Sequence, residues 1–409
     1  TDPDARSLIY YQANQLYYDE AVGIPMVLAA NHTYEQRWIS GRLQNPLLPG
    51  IYYYPVTKST DSADPTTSVY ANTNTFFTLD PALAYDTSSS EIIENIYETL
   101  VFYEGEKTDS YLPQLAEGWE VSADGKVWTF HIRPGVTFHN GNPLTASDVA
   151  YTFQRGLLQG GFSSPQWLLT EPFLGIGVSD ITGIVDGYKS ADNRAKLKKN
   201  DPAVLAAACK KVKNRIVAND AAGTVTMTLA QPWGPFLATL AGSWGSIVDK
   251  EWAVGNGGWN GSCSTWQNYY AMTADEDPLT GIANGTGPYK LDSWTQDVET
   301  VLNANTNYWR TLPAYPGGPS GIPSITTVTF EVVSSSDDRH AMLENGTADF
   351  AVMPRAYADD LVGETCVWDA ESGEYAPCSV DDDTLPLRLY KGKPGVASKD
   401  VAIYTFDIQ

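Results

Sequence analysis

The side chains that most often do acid–base or metal chemistry are not arranged for it in this sequence. The four histidines are scattered, with no HExxH motif and no close pair: His32, His131, His139 and His340. The acidic runs 275–277 and 381–383 lack the spacing of a calcium-binding loop. Asp337 and Asp338 lie at a predicted helix start, where carboxylates cap the helix. No GxSxG, P-loop or GxGxxG motif occurs. We therefore predict no catalytic residue, no metal site and no cofactor.

The four cysteines could form two disulfides, and an even number suits an oxidising compartment. Cys366 and Cys378 flank a polar, turn-rich loop, which predicts a local disulfide between them. Cys209 and Cys263 would then form the second. Cys209 also falls on the apolar face of a predicted helix, so a buried free thiol is the alternative for it.

Composition narrows the kinds of partner. The formal net charge of −23 repels phosphate backbones, so nucleic acid is excluded as a partner. The basic stretch 189–215 is interpreted as a solvated helical face. No apolar run approaches the ~20 residues that span a bilayer, and no signal-peptide pattern begins at Thr1. In contrast, 12 tryptophans and 24 tyrosines exceed what a core needs, and binding clefts use such rings for contact area.

Local patterns predict interleaved helices and strands, and so a mixed α/β protein of two or three domains. Asp124-Gly125 predicts a hairpin turn, and Gly285 and Gly287 would allow positive φ before Pro288 fixes the turn there. Helix starts are predicted from the following capping pairs: Ser88/Glu91, Thr145/Asp148 and Ser335/Asp338. Further elements are predicted over these ranges: a helix at 2–20, and strands at 24–30, 68–72 and 401–408.

Three stretches resemble family 5 of the bacterial extracellular solute-binding proteins, which includes dipeptide-, oligopeptide- and nickel-binding proteins. The longest, 113–153, combines Trp119, the Asp124-Gly125 hairpin, an Arg-x-Gly-Val-x-Phe-His segment at 133–139 and Leu-Thr-Ala-x-Asp-Val at 144–149. The others are GTGPYKLDSWTQDVETVLNANTNYWR at 285–310 and the segment 75–100. Together they extend the resemblance over nearly all of 68–360.

The resemblance implies a mixed α/β, periplasmic-binding-protein type II fold with two lobes. Residues 1–57 resemble the family's C-terminal end, 58–67 would be a linker or junction, 68–400 the large lobe, and 401–409 a hinge strand toward the second lobe. The chain is thus expected to be permuted and to lack most of the second lobe. An engineered order and out-of-order numbering of fragments both fit this pattern. Strand 24–30 is expected to lie beside 401–408, because both would cross the hinge.

The resemblance also implies the function: a monomeric, extracytoplasmic binding protein of an ABC importer, periplasmic or cell-surface, with a lipid anchor as one option. Such a protein is not an enzyme. It captures a small ligand and docks on permease subunits. An oligopeptide is the first expectation and an oligosaccharide the alternative, while few histidines disfavour nickel or haem. From another class, a carbohydrate-active hydrolase with paired carboxylates is the rival, and a surface scaffold is a third option.

Candidate ligand-binding residues come from two places that the resemblance puts on one cleft. The first is the loop after the first strand with a tyrosine on the next helix: Asn74, Thr75, Phe76, Phe77 and Tyr97. The second is the segment where the family has a cleft-facing loop: Ser243, Trp244 and Gly245. Ordinary packing is the alternative role for each of them taken singly.

Overall fold

The computed structural model describes residues 3–21, 33–43, 45–313, 315, 317–357, 361, 365–369, 374–376 and 387–390. The chain divides into two compact units. Unit 1 comprises Thr1–Ile39, Val69–Thr73 and Val333–Gln409, and unit 2 comprises Ser40–Ser68 and Asn74–Val332. Helices and strands interleave in chain order, which confirms the predicted mixed α/β class.

The helices have the following bounds: α1 Pro3–Asp19, α2 Thr87–Ile96, α3 Ala146–Gln159, α4 Trp167–Leu174, α5 Thr182–Asp186, α6 Arg194–Leu197, α7 Pro202–Arg215, α8 Phe236–Ala241, α9 Lys250–Gly255 and α10 Ser336–Glu344. Short 3-10 turns cover Ser243–Gly245, Trp266–Asn268 and Arg355–Tyr357. The strands are β1 Thr33–Gln36, β2 Ile39–Ser40, β3 Thr57–Lys58, β4 Thr67–Asn72, β5 Val101–Tyr103, β6 Tyr111–Pro113, β7 Ala116–Val121, β8 Val127–Ile132, β9 Ile216–Asn219, β10 Thr224–Thr228, β11 Tyr289–Thr295, β12 Glu299–Ala304, β13 Thr327–Val332, β14 Phe350–Val352, β15 Thr365–Asp369, β16 Glu374–Ala376 and β17 Leu387–Tyr390.

Unit 1 is built on strands in the order β4-β14-β1-β17-β15-β16. β14 runs parallel to β4 and antiparallel to β1, with Tyr34 opposite Ala351. Its core gathers small and aliphatic side chains around Tyr34. The Asp349 carboxylate accepts hydrogen bonds from the Val69 N–H at 3.0 Å and the Trp38 indole at 2.7 Å, so polar groups as well as packing hold these strands together.

Unit 2 contains two antiparallel sheets, β7-β8-β10-β9 and β11-β12-β13, beside the β5-β6 pair. α3 is buried along its whole length and packs against β9, β10, α7 and α9. A disulfide of Cys209 on α7 with Cys263 confirms that predicted pair, with Cα atoms 5.4 Å apart, and excludes the free-thiol alternative. Cys378 lies outside the described residues, so the Cys366–Cys378 disulfide stays a prediction.

Most predicted caps are confirmed, and one is wrong. Thr145 and Asp148 form a full capping box, and Ser335 caps α10. The N-cap of α2 is Asp86 and not Ser88. The Asp86 side chain accepts the Ser89 N–H, so the helix is capped two residues earlier than predicted. Glu91, the expected partner in that box, instead accepts the Ile51 N–H at 2.7 Å.

Gly285 and Gly287 are not in the positive-φ region, so they do not use that freedom. Glycine is required at these two positions because the backbone there lies very close to the end of α2. A Cβ on Gly287 would lie 2.5 Å from the Ile96 carbonyl oxygen, and one on Gly285 would lie 2.1 Å from it. The 285–287 backbone therefore packs directly on the end of α2, with the Gly287 N–H donating to Ile96 O at 2.9 Å.

The helix predicted at 2–20 is present as α1, but its side chains are exposed apart from half-buried Tyr17 among residues 5–19. Residues 58–67 form a mostly exposed loop, in which the Lys58 ammonium donates to Thr67 O and Asp64 accepts the Thr66 N–H. Whether this loop is a junction stays a prediction, as does the division at 57, 67 and 400. Strands 24–30 and 401–408 lie outside the described residues, so their expected pairing does too.

Candidate functional site

Both segments predicted to form the cleft attach to the first turn of α2. The Phe77 N–H donates to Ser89 Oγ at 3.0 Å, and Ser243 Oγ donates to Ser90 Oγ at 3.0 Å. Since Ser89 and Ser90 are consecutive, the 74–77 loop and the 243–245 turn lie at the same end of one helix. The structure thus brings together two parts of the sequence that are about 170 residues apart.

Only some of the predicted residues offer surface to a ligand. Asn74 and Phe77 are exposed, and Thr75 and Trp244 are partly so. The others are buried and have structural contacts. Phe76 stacks on Trp294 with ring centroids 4.2 Å apart, and the Tyr97 hydroxyl accepts the Asn284 N–H. Ser243 and Gly245 are buried in the turn that carries Trp244.

Trp244 is held both at its ring and at its backbone. Its indole N–H donates to Thr239 O at 2.7 Å, at the end of α8, and the Gln166 amide donates to its carbonyl at 3.1 Å. Gln166 immediately precedes α4, so this turn is tied to α4 as well as to α2. A partly exposed indole in a fixed orientation can pack against a ligand with little further loss of side-chain entropy.

Sequence reasoning missed two aromatic residues at this end of α2, Tyr85 and Trp167. Tyr85 directly precedes the Asp86 cap and is 49% exposed, while Trp167 begins α4 and is 41% exposed. The Trp167 indole N–H donates to the Tyr85 hydroxyl at 3.2 Å. The signal was an aromatic residue next to a helix start, which is common in cores too. We call Phe77, Tyr85, Trp167 and Trp244 the aromatic face.

A buried charge cluster fixes the loop that precedes the aromatic face. The two terminal guanidinium nitrogens of Arg155 on α3 donate to the carboxylate of Asp80, one at 2.7 Å, and both side chains are buried. Burial would raise the pKa of Asp80, but the Arg155 charge holds it below its ordinary value. Asp80 also accepts the Ala82 N–H at 3.0 Å, so the pair orders the turn that leads to Tyr85.

Asp277 is the second carboxyl group at the same arginine, with Oδ1 3.8 Å from Arg155. Neither of its carboxyl oxygens has a hydrogen-bond partner within the described part of the chain. Burial first, and then the Asp80 charge, raise the pKa of Asp277 to about 8. This carboxylate pair is closed to solvent, with each side chain at most 1% exposed, so no substrate reaches it.

Glu98 is another buried carboxylate, and neighbouring side chains of the protein interior donate hydrogen bonds to it. It accepts hydrogen bonds from the Tyr308 hydroxyl at 2.7 Å, the Trp309 indole at 2.6 Å and the Thr286 hydroxyl at 2.8 Å. Burial raises its pKa, although nearby Arg310 opposes the shift. Such a group organises a core.

The described residues offer neither a metal site nor a membrane-spanning helix. No group of three histidine, cysteine, aspartate or glutamate side chains there could hold a metal ion. His139 is part of a turn, where its Nε2 lies 3.0 Å from Gly287 O, and burial lowers its pKa to about 4. None of the described helices is both long and apolar enough to cross a bilayer.

The chain is similar in sequence to known bacterial binding proteins. The dipeptide-binding protein of Escherichia coli (strain K12) is 28% identical over 287 residues, covering 68% of this chain and 41% of that protein. The dipeptide-binding protein DppE of Bacillus subtilis (strain 168) is 25% identical over 293 residues, covering 72% and 44%. The chain therefore spans about two fifths of the length of these relatives.

Among solved structures, the ABC transporter-associated periplasmic binding protein DppA from Helicobacter pylori, in complex with peptide STSA, matches with a TM-score of 0.48 and 27% identity. The match covers 72% of this chain and 48% of that one. The family model of the bacterial extracellular solute-binding proteins, family 5 (middle), matches residues 110–365, which is more than half of this chain. The chain therefore belongs to family 5 of the bacterial extracellular solute-binding proteins.

Proposed function

We propose that this protein captures a peptide-like ligand outside the cytoplasm and delivers it to the permease of an ABC importer. It acts by reversible binding rather than by catalysis. Family membership supports this function, as do the names of the relatives, which are dipeptide-binding proteins. Because the chain spans about two fifths of those relatives, the two-lobed capture and the docking on a permease belong to this proposal.

The observation that carries the proposal is the aromatic face. Phe77, Tyr85 and Trp167 expose 62%, 49% and 41% of their surface, and hydrogen bonds tie their segments to α2 or to one another. Rings presented on fixed backbone offer large contact area to the side chains of a bound peptide at little entropic cost.

The same rings favour an oligosaccharide as the second candidate. Flat, partly polar rings such as Trp167 and Tyr85 can stack on the apolar faces of sugar rings as well as on peptide side chains. The two ligand classes differ in charge and hydrogen bonding, and binding experiments can separate them.

The test is native mass spectrometry of the purified protein, followed by calorimetric titration with di-, tri- and tetrapeptides and with oligosaccharides of matched length. We expect a peptide to bind and to be released unchanged. Trp167→Ala should weaken that binding by about 1–3 kcal/mol. Phe162→Ala is the matched control, because Phe162 is 47% exposed but its ring stacks on Tyr188 and its N–H donates to Asp192, outside the aromatic face. Turnover of a glycan, or equal effects of the two substitutions, would contradict the proposal.

A further inference from the structure

The positive charge of this acidic protein is concentrated in one segment of unit 2. Nine of the 26 lysines and arginines fall within residues 189–215, together with only two of the 49 acidic residues. The chain as a whole has a formal net charge of −23. Near a negatively charged surface, most of the molecule is repelled and this segment is attracted.

In the structure, the α7 part of this segment forms one wall of a groove. The groove has a cavity volume of about 470 Å³. Residues of the outer side of α7 and of β10 line it: Ala207, Lys210, Lys211, Asn214, Arg215 and Thr228. We call these six residues the basic groove. The opposite side of α7 is buried through Leu205, Ala208, Cys209 and Val212, so the lysines lie on its solvent side.

Among the described residues, no carboxylate neutralises the cations of the basic groove. Within the part of the chain that the structure describes, Lys210, Lys211 and Arg215 form no ion pair, whereas Arg194 pairs with Glu276. The Cys209–Cys263 disulfide anchors the middle of α7, and the Lys213 ammonium donates to Gly261 O at 3.0 Å. The groove is therefore held in place without a ligand.

We propose that the basic groove binds the phosphate headgroups of an anionic phospholipid surface and so orients the protein on a membrane. Seven of the nine cations in 189–215 are lysines, whose compact charge suits diffuse attraction to headgroups. The Asn214 amide and the Thr228 hydroxyl add donors for phosphate oxygens.

An acidic protein partner fits this surface less well. The basic groove has no aromatic side chain and only one arginine, whereas stable protein interfaces are usually centred on several buried aromatic or arginine anchors. Six further cations of the segment lie outside the groove: five precede its residues in the sequence, and Lys213 falls between them. A membrane surface presents many headgroups and can contact all of these cations at once, whereas a single acidic loop of a protein could contact only a few of them.

The test is sedimentation of the full chain with vesicles of phosphatidylglycerol and phosphatidylcholine in equal parts, and with vesicles of phosphatidylcholine alone. We expect binding only to the anionic vesicles, lost as salt rises from about 0.05 M to about 1 M. Replacing Lys210, Lys211 and Arg215 together by Gln should weaken binding about 100-fold. The single variant Lys211→Gln should weaken it about 5-fold and guards against misfolding of the triple variant.

A control triple variant, with Lys58, Lys107 and Lys250 changed to Gln, has the same net charge and should keep full binding. Ligand capture should be unchanged in the groove variants, so this proposal and the proposed function fail separately. Equal loss in the two triple variants would overturn the proposal, as would equal binding to both kinds of vesicle. Tighter binding of polyglutamate than of anionic vesicles would overturn it in favour of an acidic protein partner.

Discussion

Replacing Asp277 with Asn is expected to stabilise the protein, and the gain should grow with pH. Arg155 already forms a two-point pair with Asp80, so the cluster holds one carboxyl group more than its charge can neutralise. The Asp277 side chain is 1% exposed and lacks a hydrogen-bond partner among the described residues. Asn has the same shape and no charge, so it removes the ionisation problem without leaving a cavity.

The sign follows from the two pKa values. Burial and the Asp80 charge raise the pKa of Asp277 to about 8 in the folded protein, against an ordinary value of 3.8. The folded state therefore binds this proton more tightly, and stability falls as pH rises from about 4 to about 8. At pH 7 the cost to the folded protein is at most about 4 kcal/mol, and Asn avoids that cost.

The assay is urea unfolding followed by tryptophan fluorescence at pH 5, 7 and 8.5. Asp277→Asn should raise the free energy of unfolding least at pH 5 and most at pH 8.5. Asp275→Asn, an exposed position two residues away, should change stability little at each pH. Asp80→Asn should destabilise instead, because it breaks the two-point pair with Arg155. A constant difference across pH, or a less stable Asp277→Asn protein at pH 8.5, would refute the reasoning.

Three more outcomes are expected. Trp244→Ala should weaken ligand binding by about 1–3 kcal/mol without unfolding the protein, as measured by calorimetric titration and a thermal melt. Cys263→Ser should lower the free energy of unfolding by about 4 kcal/mol, because Cys209 and Cys263 close a loop across a sequence separation of 54. Unchanged urea unfolding of that variant would count against this magnitude. Gly287→Ala should lower the free energy of unfolding by about 1–3 kcal/mol, because its Cβ would lie 2.5 Å from Ile96 O, and an unchanged unfolding midpoint would contradict this.

Much of the local structure could be predicted because its determinants are close in sequence. The Thr145–Asp148 capping box and the hairpin turn at Asp124-Gly125 depend on residues within a few positions of each other. The start of α2 was predicted wrongly because two nearby residues have suitable side chains. Asp86 and Ser88 both suit an N-cap, and only the folded geometry shows that Asp86 accepts the Ser89 N–H.

The candidate site was predicted only in outline. The 74–77 loop and the 243–245 turn were named from the sequence, yet the sequence could not tell exposed Phe77 from buried Phe76. The two differ because Phe76 stacks on Trp294, more than 200 residues away. Tyr85 and Trp167 were missed because their exposure depends on how the start of α4 meets the start of α2.

The sequence by itself determined the family, the mixed α/β class and most helix caps. The tertiary structure decided between a disulfide and a free thiol for Cys209. Only the tertiary structure decided which ionisable groups lose their water. Asp80, Arg155 and Asp277 have no local pattern in common, and α3 brings them together in the interior. Burial there changes the free energy of a charge by several kcal/mol, and sequence spacing does not record burial. The same physics leaves Lys210, Lys211 and Arg215 on the other side of α7 from its buried residues, where none of the described residues forms an ion pair with them.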